Sequence, residues 1–112
     1  MAVKKIHEFD PCDRYFFDLD VCSVSKGYAQ VDTSLDASYY GTWANPVTFK
    51  IVNYCEGDIY VTLCDTLAEF IAEIYAIKQW HISQGNKFGV DPGLNPERIK
   101  QWENIGLKEL LH

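Results

Sequence analysis

The hydrophobic period of this chain changes once, at residues 64–66, and that change constrains the fold more than any other feature. Before it, apolar and polar side chains alternate. Residues 14–22 put Tyr15, Phe17, Leu19 and Val21 on one face and Phe16, Asp18 and Asp20 on the other, the period-two pattern of a half-buried strand. After it, Leu67, Phe70, Ile71, Ile74 and Ile77 recur at the i, i+3, i+4, i+7 spacing of a helix with one apolar stripe. A run of strands followed by helices is the order of an α+β fold.

Turn residues divide the first half into strands within about residues 14–64. Ser25-Lys26-Gly27 precedes a second strand around residues 28–33, and Leu35-Asp36-Ala37 leads into a third over 38–43. Asn45-Pro46 breaks it, because proline cannot donate to a ladder and biases its predecessor away from helix. Residues 47–54 form a fourth strand, Glu56-Gly57-Asp58 a tight hairpin turn and residues 59–64 a fifth. Short strands joined by short turns predict an antiparallel meander of four or five strands.

The long helix is expected over residues 66–84, with Thr66 as N-cap, Glu69 completing a capping box and Gly85 just past its end. Asp91-Pro92-Gly93 fits a type II turn. Asn95 and Pro96 cap and start a second helix that ends near residue 105, before Gly106, and residues 107–111 form an apolar tail that should dock. Ala68, Ala72 and Ala76 lie at four-residue spacing away from the apolar stripe; high helix propensity is the plain explanation, and close approach of the second helix, or of a second subunit, the sharper one.

With 112 residues the chain makes one domain, residues 1–112, that buries roughly two thirds of its unfolded surface. A hydrophobic fraction of 47% speaks against disorder, and no apolar run approaches the ~18 residues of a membrane helix. The first residues turn acidic at Glu8 before an apolar stretch develops, which is not a secretory leader, so a cytoplasmic setting is expected. Cys12, Cys22, Cys55 and Cys64 form no CxxC pair and have no histidine at finger-like spacing; reduced thiols are expected, with no metal and no cofactor.

The net charge of −6 is unevenly spread. Between Glu8 and Asp36 the seven acids Glu8, Asp10, Asp13, Asp18, Asp20, Asp32 and Asp36 meet only Arg14 and Lys26, whereas residues 66–112 are nearly neutral. Such a chain does not favour the phosphate backbone of nucleic acid, whose affinity comes from lysine and arginine. Asp18 and Asp20, roughly 7 Å apart on one strand face, with Asp32 on the next strand, make a candidate contact for a protein with a basic surface. The same acids also serve to keep an outer sheet face solvated.

Tyr54, Glu56 and His81 mark a candidate small-ligand pocket between sheet and helix, His81 lying four residues beyond Ile77 on the apolar stripe. The bland reading of His81 is a hydrogen-bonded core histidine. Tyr39, Tyr40, Trp43, Tyr54 and Tyr60 have only Lys50 among them, so core and cross-strand packing fits better than base stacking. GxGxxG, GxxxxGK[ST], GxSxG and HExxH do not occur, and no residue is put forward as catalytic.

Phe-Asp-Pro-Cys at 9–12, Tyr-Gly-Thr-Trp at 40–43, Tyr-Cys-Glu-Gly-Asp at 54–58 and Val-Asp-Pro-Gly at 90–93 resemble a group of small uncharacterised proteins of phages, prophages and neighbouring bacterial genomes. The resemblance implies mobile-element biology and carries over no active-site residue. The expected function is a small acidic, non-enzymatic protein-binding module, of the kind that inhibits or modulates a host protein. A small enzyme or ligand-binding protein and a structural homodimer are the competing expectations.

Overall fold

A computed structural model describes residues 3–8, 27–31, 40–55, 58–93 and 95–111. It has the α+β architecture expected from the change of period: an antiparallel sheet with one long helix and a shorter C-terminal one. The strands are β1 (Lys4–Glu8), β2 (Ala29–Gln30), β3 (Tyr40–Ala44), β4 (Lys50–Cys55) and β5 (Asp58–Leu63), in the spatial order β1-β5-β4-β3-β2. Strands β2 to β5 are a meander. The departure from prediction is β1, which pairs with the last strand, Lys4 opposite Leu63 and Glu8 opposite Ile59. The strand predicted over residues 14–22 lies outside the described residues.

The β3–β4 connection is longer than the sequence reading gave it, and Asn45 is the cause. Its Oδ1 accepts from the amides of Val47 and Thr48 at 2.9 and 3.1 Å, and the Phe49 amide reaches back to the Asn45 carbonyl at 2.9 Å. Val47 and Thr48 are thereby held in a turn, and β4 starts at Lys50. Phe49, at φ 62°, makes the left-handed step back into the sheet. Its ring remains in the core, 5.5 Å from the Phe70 ring. Between β4 and β5 the register pairs Cys55 with Asp58, matching the predicted tight hairpin.

Helix α1 (Leu67–Ser83) starts on the predicted capping box: the Thr66 hydroxyl accepts from the Glu69 amide, and the Glu69 carboxylate accepts from the amides of Thr66 and Asp65. Helix α2 (Pro96–Asn104) starts on Asn95, whose Oδ1 accepts from the Glu97 and Arg98 amides. Both helices end in a Schellman motif with a left-handed glycine. Asn86 N–H bonds to the His81 carbonyl past Gly85, and Leu107 N–H to the Trp102 carbonyl past Gly106. Leu107 is thereby turned inward and is 1% exposed.

The core lies between α1 and the sheet face that carries Ala29, Ala44 and Ile51, with Phe70, Ile74, Val90, Trp102, Leu107 and Leu110 filling it. Trp102 is fully buried, 6.0 Å from the Phe70 ring. Val52 and Val61, paired across β4 and β5, are fully buried on the opposite face. The C-terminal 3-10 turn (Lys108–Leu110) docks as predicted: Val90 N–H bonds to the Leu110 carbonyl, and Asp91 N–H bonds to Gln30 at the β2 edge. In the connecting loop Gly93 has φ 70°, as the third position of a type II turn requires, and its amide donates to Asp91 Oδ1.

One packing expectation is overturned. Ala68, Ala72 and Ala76 are solvent-exposed, so α2 does not lie against them. The buried side chains of α1 are Glu69, Phe70, Ile74 and His81, and Leu67, expected on the inward stripe, is 37% exposed. The first turn is oriented by the cap and by Glu69, which swings the inward stripe to start at Phe70.

Candidate functional site

The acids proposed as a contact, Asp18, Asp20 and Asp32, lie outside the described residues, and so does Glu56. Tyr54 occupies β4 opposite Gly41 on one side and Ile59 on the other. His81, the third residue of the candidate pocket, sits in the last turn of α1 and is 2% exposed. Its ring is edge-on to Trp80 at 4.9 Å, tilted against Phe88 at 6.2 Å, and has Nδ1 3.5 Å from the Asn86 side-chain amide. That enclosure fits the core-histidine reading: the imidazole fills space under the C-terminal end of α1, while the His81 carbonyl accepts the Asn86 amide of the Schellman turn.

The most distinctive surface among the described residues is the outer face of α1. The exposed residues of the helix are Leu67, Ala68, Ala72, Ala76, Gln79, Trp80, Ile82 and Ser83, and none is charged. Trp80 is 56% and Ile82 51% exposed, large apolar groups left in water at one end of an alanine row. An ordinary surface helix carries its charges on this side.

The charges of α1 are held elsewhere. Glu69 is buried in the cap, and Glu73 pairs with Lys5 of β1 at 3.6 Å. Lys78 lies 5.6 Å over the Tyr75 ring. Tyr75 in turn donates to Glu109 of the 3-10 turn at 2.5 Å. Each ionic group on the helix is drawn to a flank by a partner in the chain, which leaves the outward face neutral.

Sequence reasoning found the alanine row but missed Trp80 and Ile82. The signal was present: Trp80 continues the four-residue spacing of Ala68, Ala72 and Ala76.

No three His, Cys, Asp or Glu residues among the described residues are grouped to hold a metal ion. Cys64 is a free thiol that burial, and then the nearby Glu73 and Glu69 carboxylates, push up in pKa, the opposite of what activates a nucleophile. No helix among the described residues is long and apolar enough to cross a membrane. No family model, curated protein or solved structure matches the chain.

Proposed function

We propose that this chain is a small non-enzymatic protein-binding module and that the outer face of α1 is a contact surface. The observation that carries the reading is the uncharged alanine row that ends in Trp80, 56% exposed. An exposed apolar row such as Ala68, Ala72, Ala76 and Trp80 marks an interaction site, and tryptophan is among the residues that dominate binding energy when buried at an interface.

The acidic stretch from Glu8 to Asp36 adds a second element to the proposal. Seven acids against Arg14 and Lys26 would steer a partner with a basic surface, and Asp18, Asp20 and Asp32 are the residues assigned to that contact. The resemblance to mobile-element proteins makes a host protein the target class, with inhibition or modulation as the outcome.

The test is capture by the immobilised full chain from a bacterial lysate, repeated with Trp80→Ala and with Asp18→Lys/Asp20→Lys. A specific partner lost with Trp80→Ala assigns the α1 face. A partner lost with the charge reversal, and released by salt, assigns the Asp18/Asp20 segment. A partner that both variants retain at unchanged affinity would overturn the assignment of these surfaces.

A further inference from the structure

We infer that the outer face of α1 receives a second copy of this chain, as an antiparallel pair of α1 helices about a two-fold axis between Ala72 and Ala76. The inference rests on the reading of that face as a protein contact and names its occupant.

The first argument is shape. A two-fold interface must be complementary to itself, each residue of one copy meeting a fixed residue of the other. Ala68, Ala72, Ala76 and Trp80 form one row at four-residue intervals, spanning about 18 Å along the helix. Turned antiparallel about its centre, the row sets Ala72 against Ala76 and Trp80 against Ala68. The large exposed group at one end thus meets the smallest at the other, twice. The central alanines let the axes approach to about 8 Å, the close end of the range for packed helices. A tryptophan at position 80 without the alanine at position 68 opposite it would not be self-complementary.

The second argument is charge. The chain carries −6, so two copies repel wherever they approach through charged surface. The α1 face is uncharged because Glu69, Glu73 and Lys78 are engaged at the cap and flanks. A basic partner gains nothing there, whereas a second acidic copy meets least repulsion. One helix face falls below the roughly 800 Å² per partner of a standard interface, so the pair forms and dissociates with concentration.

Sedimentation of the full chain from about 1 μM to about 1 mM, the range over which weak pairs form, tests this directly. The expected result is a monomer–dimer equilibrium that added salt leaves intact or strengthens, because screening removes residual repulsion. Salt acts oppositely on a complex between the acidic segment around Asp18 and Asp20 and a basic partner, which keeps the two contacts distinguishable. Ala72→Glu, which retains helix propensity, should leave the chain folded and monomeric.

Ala68→Trp and Trp80→Ala should each weaken the pair, and the double variant, which exchanges knob and hole, should restore it. Recovery in the double variant separates a lost contact from a lost fold. A monomer at about 1 mM, a dimer that persists in Ala72→Glu, or no recovery in the double exchange would overturn the second-copy assignment. If the chain is monomeric yet Trp80→Ala abolishes capture of another protein, the contact face stands and only its occupant is wrong. If Trp80→Ala alters neither mass nor capture, both readings fail.

Discussion

Tyr75 of α1 donates its phenolic hydrogen to Glu109 of the C-terminal 3-10 turn at 2.5 Å, joining the helix flank to a segment 34 residues later. The contact makes each group resist losing its role. The hydrogen bond holds the Glu109 carboxyl below its ordinary pKa, helped by its own backbone amide and Lys78, and holds the Tyr75 phenol above its own. The signs define a window. Glu109, depressed on folding, stabilises the docked tail above about pH 4.3 and loses that contribution as pH falls through its folded pKa. Tyr75, raised on folding, contributes below about pH 10 and loses it as pH rises through its folded pKa. An NMR titration of the Glu109 side-chain carbon should therefore show a midpoint that moves up in Tyr75→Phe. An unmoved midpoint would mean that the hydrogen bond does not hold in solution.

Gly41 on β3 is fixed by Trp43 two residues later on the same face. A Cβ at position 41 would lie 2.2 Å from Trp43 Cη2 and 2.6 Å from Cζ3, so the indole occupies the space that any side chain needs. Gly41→Ala should cost about 1–3 kcal/mol, the usual range for overpacking. In a Trp43→Val background most of that cost should vanish, because the obstructing ring is gone. Urea unfolding of the two single variants and the double variant measures the coupling. Additive effects would show that the strand accommodates both groups independently.

How far the fold was legible follows from where each element gets its stability. Helices α1 and α2 were readable because caps are local: Thr66 with Glu69, Asn95 with Pro96, and the glycines at 85 and 106 each act within a few residues. Strand β1 was not, since Lys-Lys-Ile-His-Glu has one apolar residue and owes its conformation to pairing with β5, some fifty residues away. The start of β4 was misplaced for a related reason. Val47 and Thr48 have good strand propensity, and the Asn45 side chain overrides it.

The candidate site divides along the same line. A neutral helix face could be suspected from Ala68, Ala72 and Ala76, but its neutrality depends on contacts the sequence does not display. Lys5 reaches Glu73 from another element, and Glu109 reaches Tyr75 from the chain's end. Periodicity placed His81 on the inward stripe correctly, and its enclosure by Phe88 and Asn86 required the return of the loop after Gly85.

Cys64 gives a chemical check on the core. Its side of the molecule excludes water, and Glu73 and Glu69 add negative charge, so thiolate formation is opposed by burial first and by like charge second. Iodoacetamide at neutral pH should therefore modify Cys64 much more slowly in the folded chain than in urea, with peptide mapping to separate it from the other three cysteines. Equal rates in the two conditions would place Cys64 at the surface and contradict the packing of the β5–α1 junction.

That junction also sets the orientation of the helix on which the proposed contact depends. Glu69 takes two backbone donors, Asp65 N–H at 2.9 Å and Thr66 N–H at 3.1 Å, while Thr66 takes one in return at 3.2 Å. Thr66→Ala should cost about 1 kcal/mol, the common value for a lost N-cap. Glu69→Ala should cost more, about 1–3 kcal/mol, because it leaves two donors to find water at a position that is 7% exposed. Glu69→Gln preserves the acceptor oxygen and should cost least. Thermal or urea unfolding of the three variants would give this order if the carboxylate acts chiefly as a backbone acceptor. If Glu69→Gln instead matched Glu69→Ala, the negative charge at the helix N-terminus would be the larger effect, and stability would then fall with added salt as well.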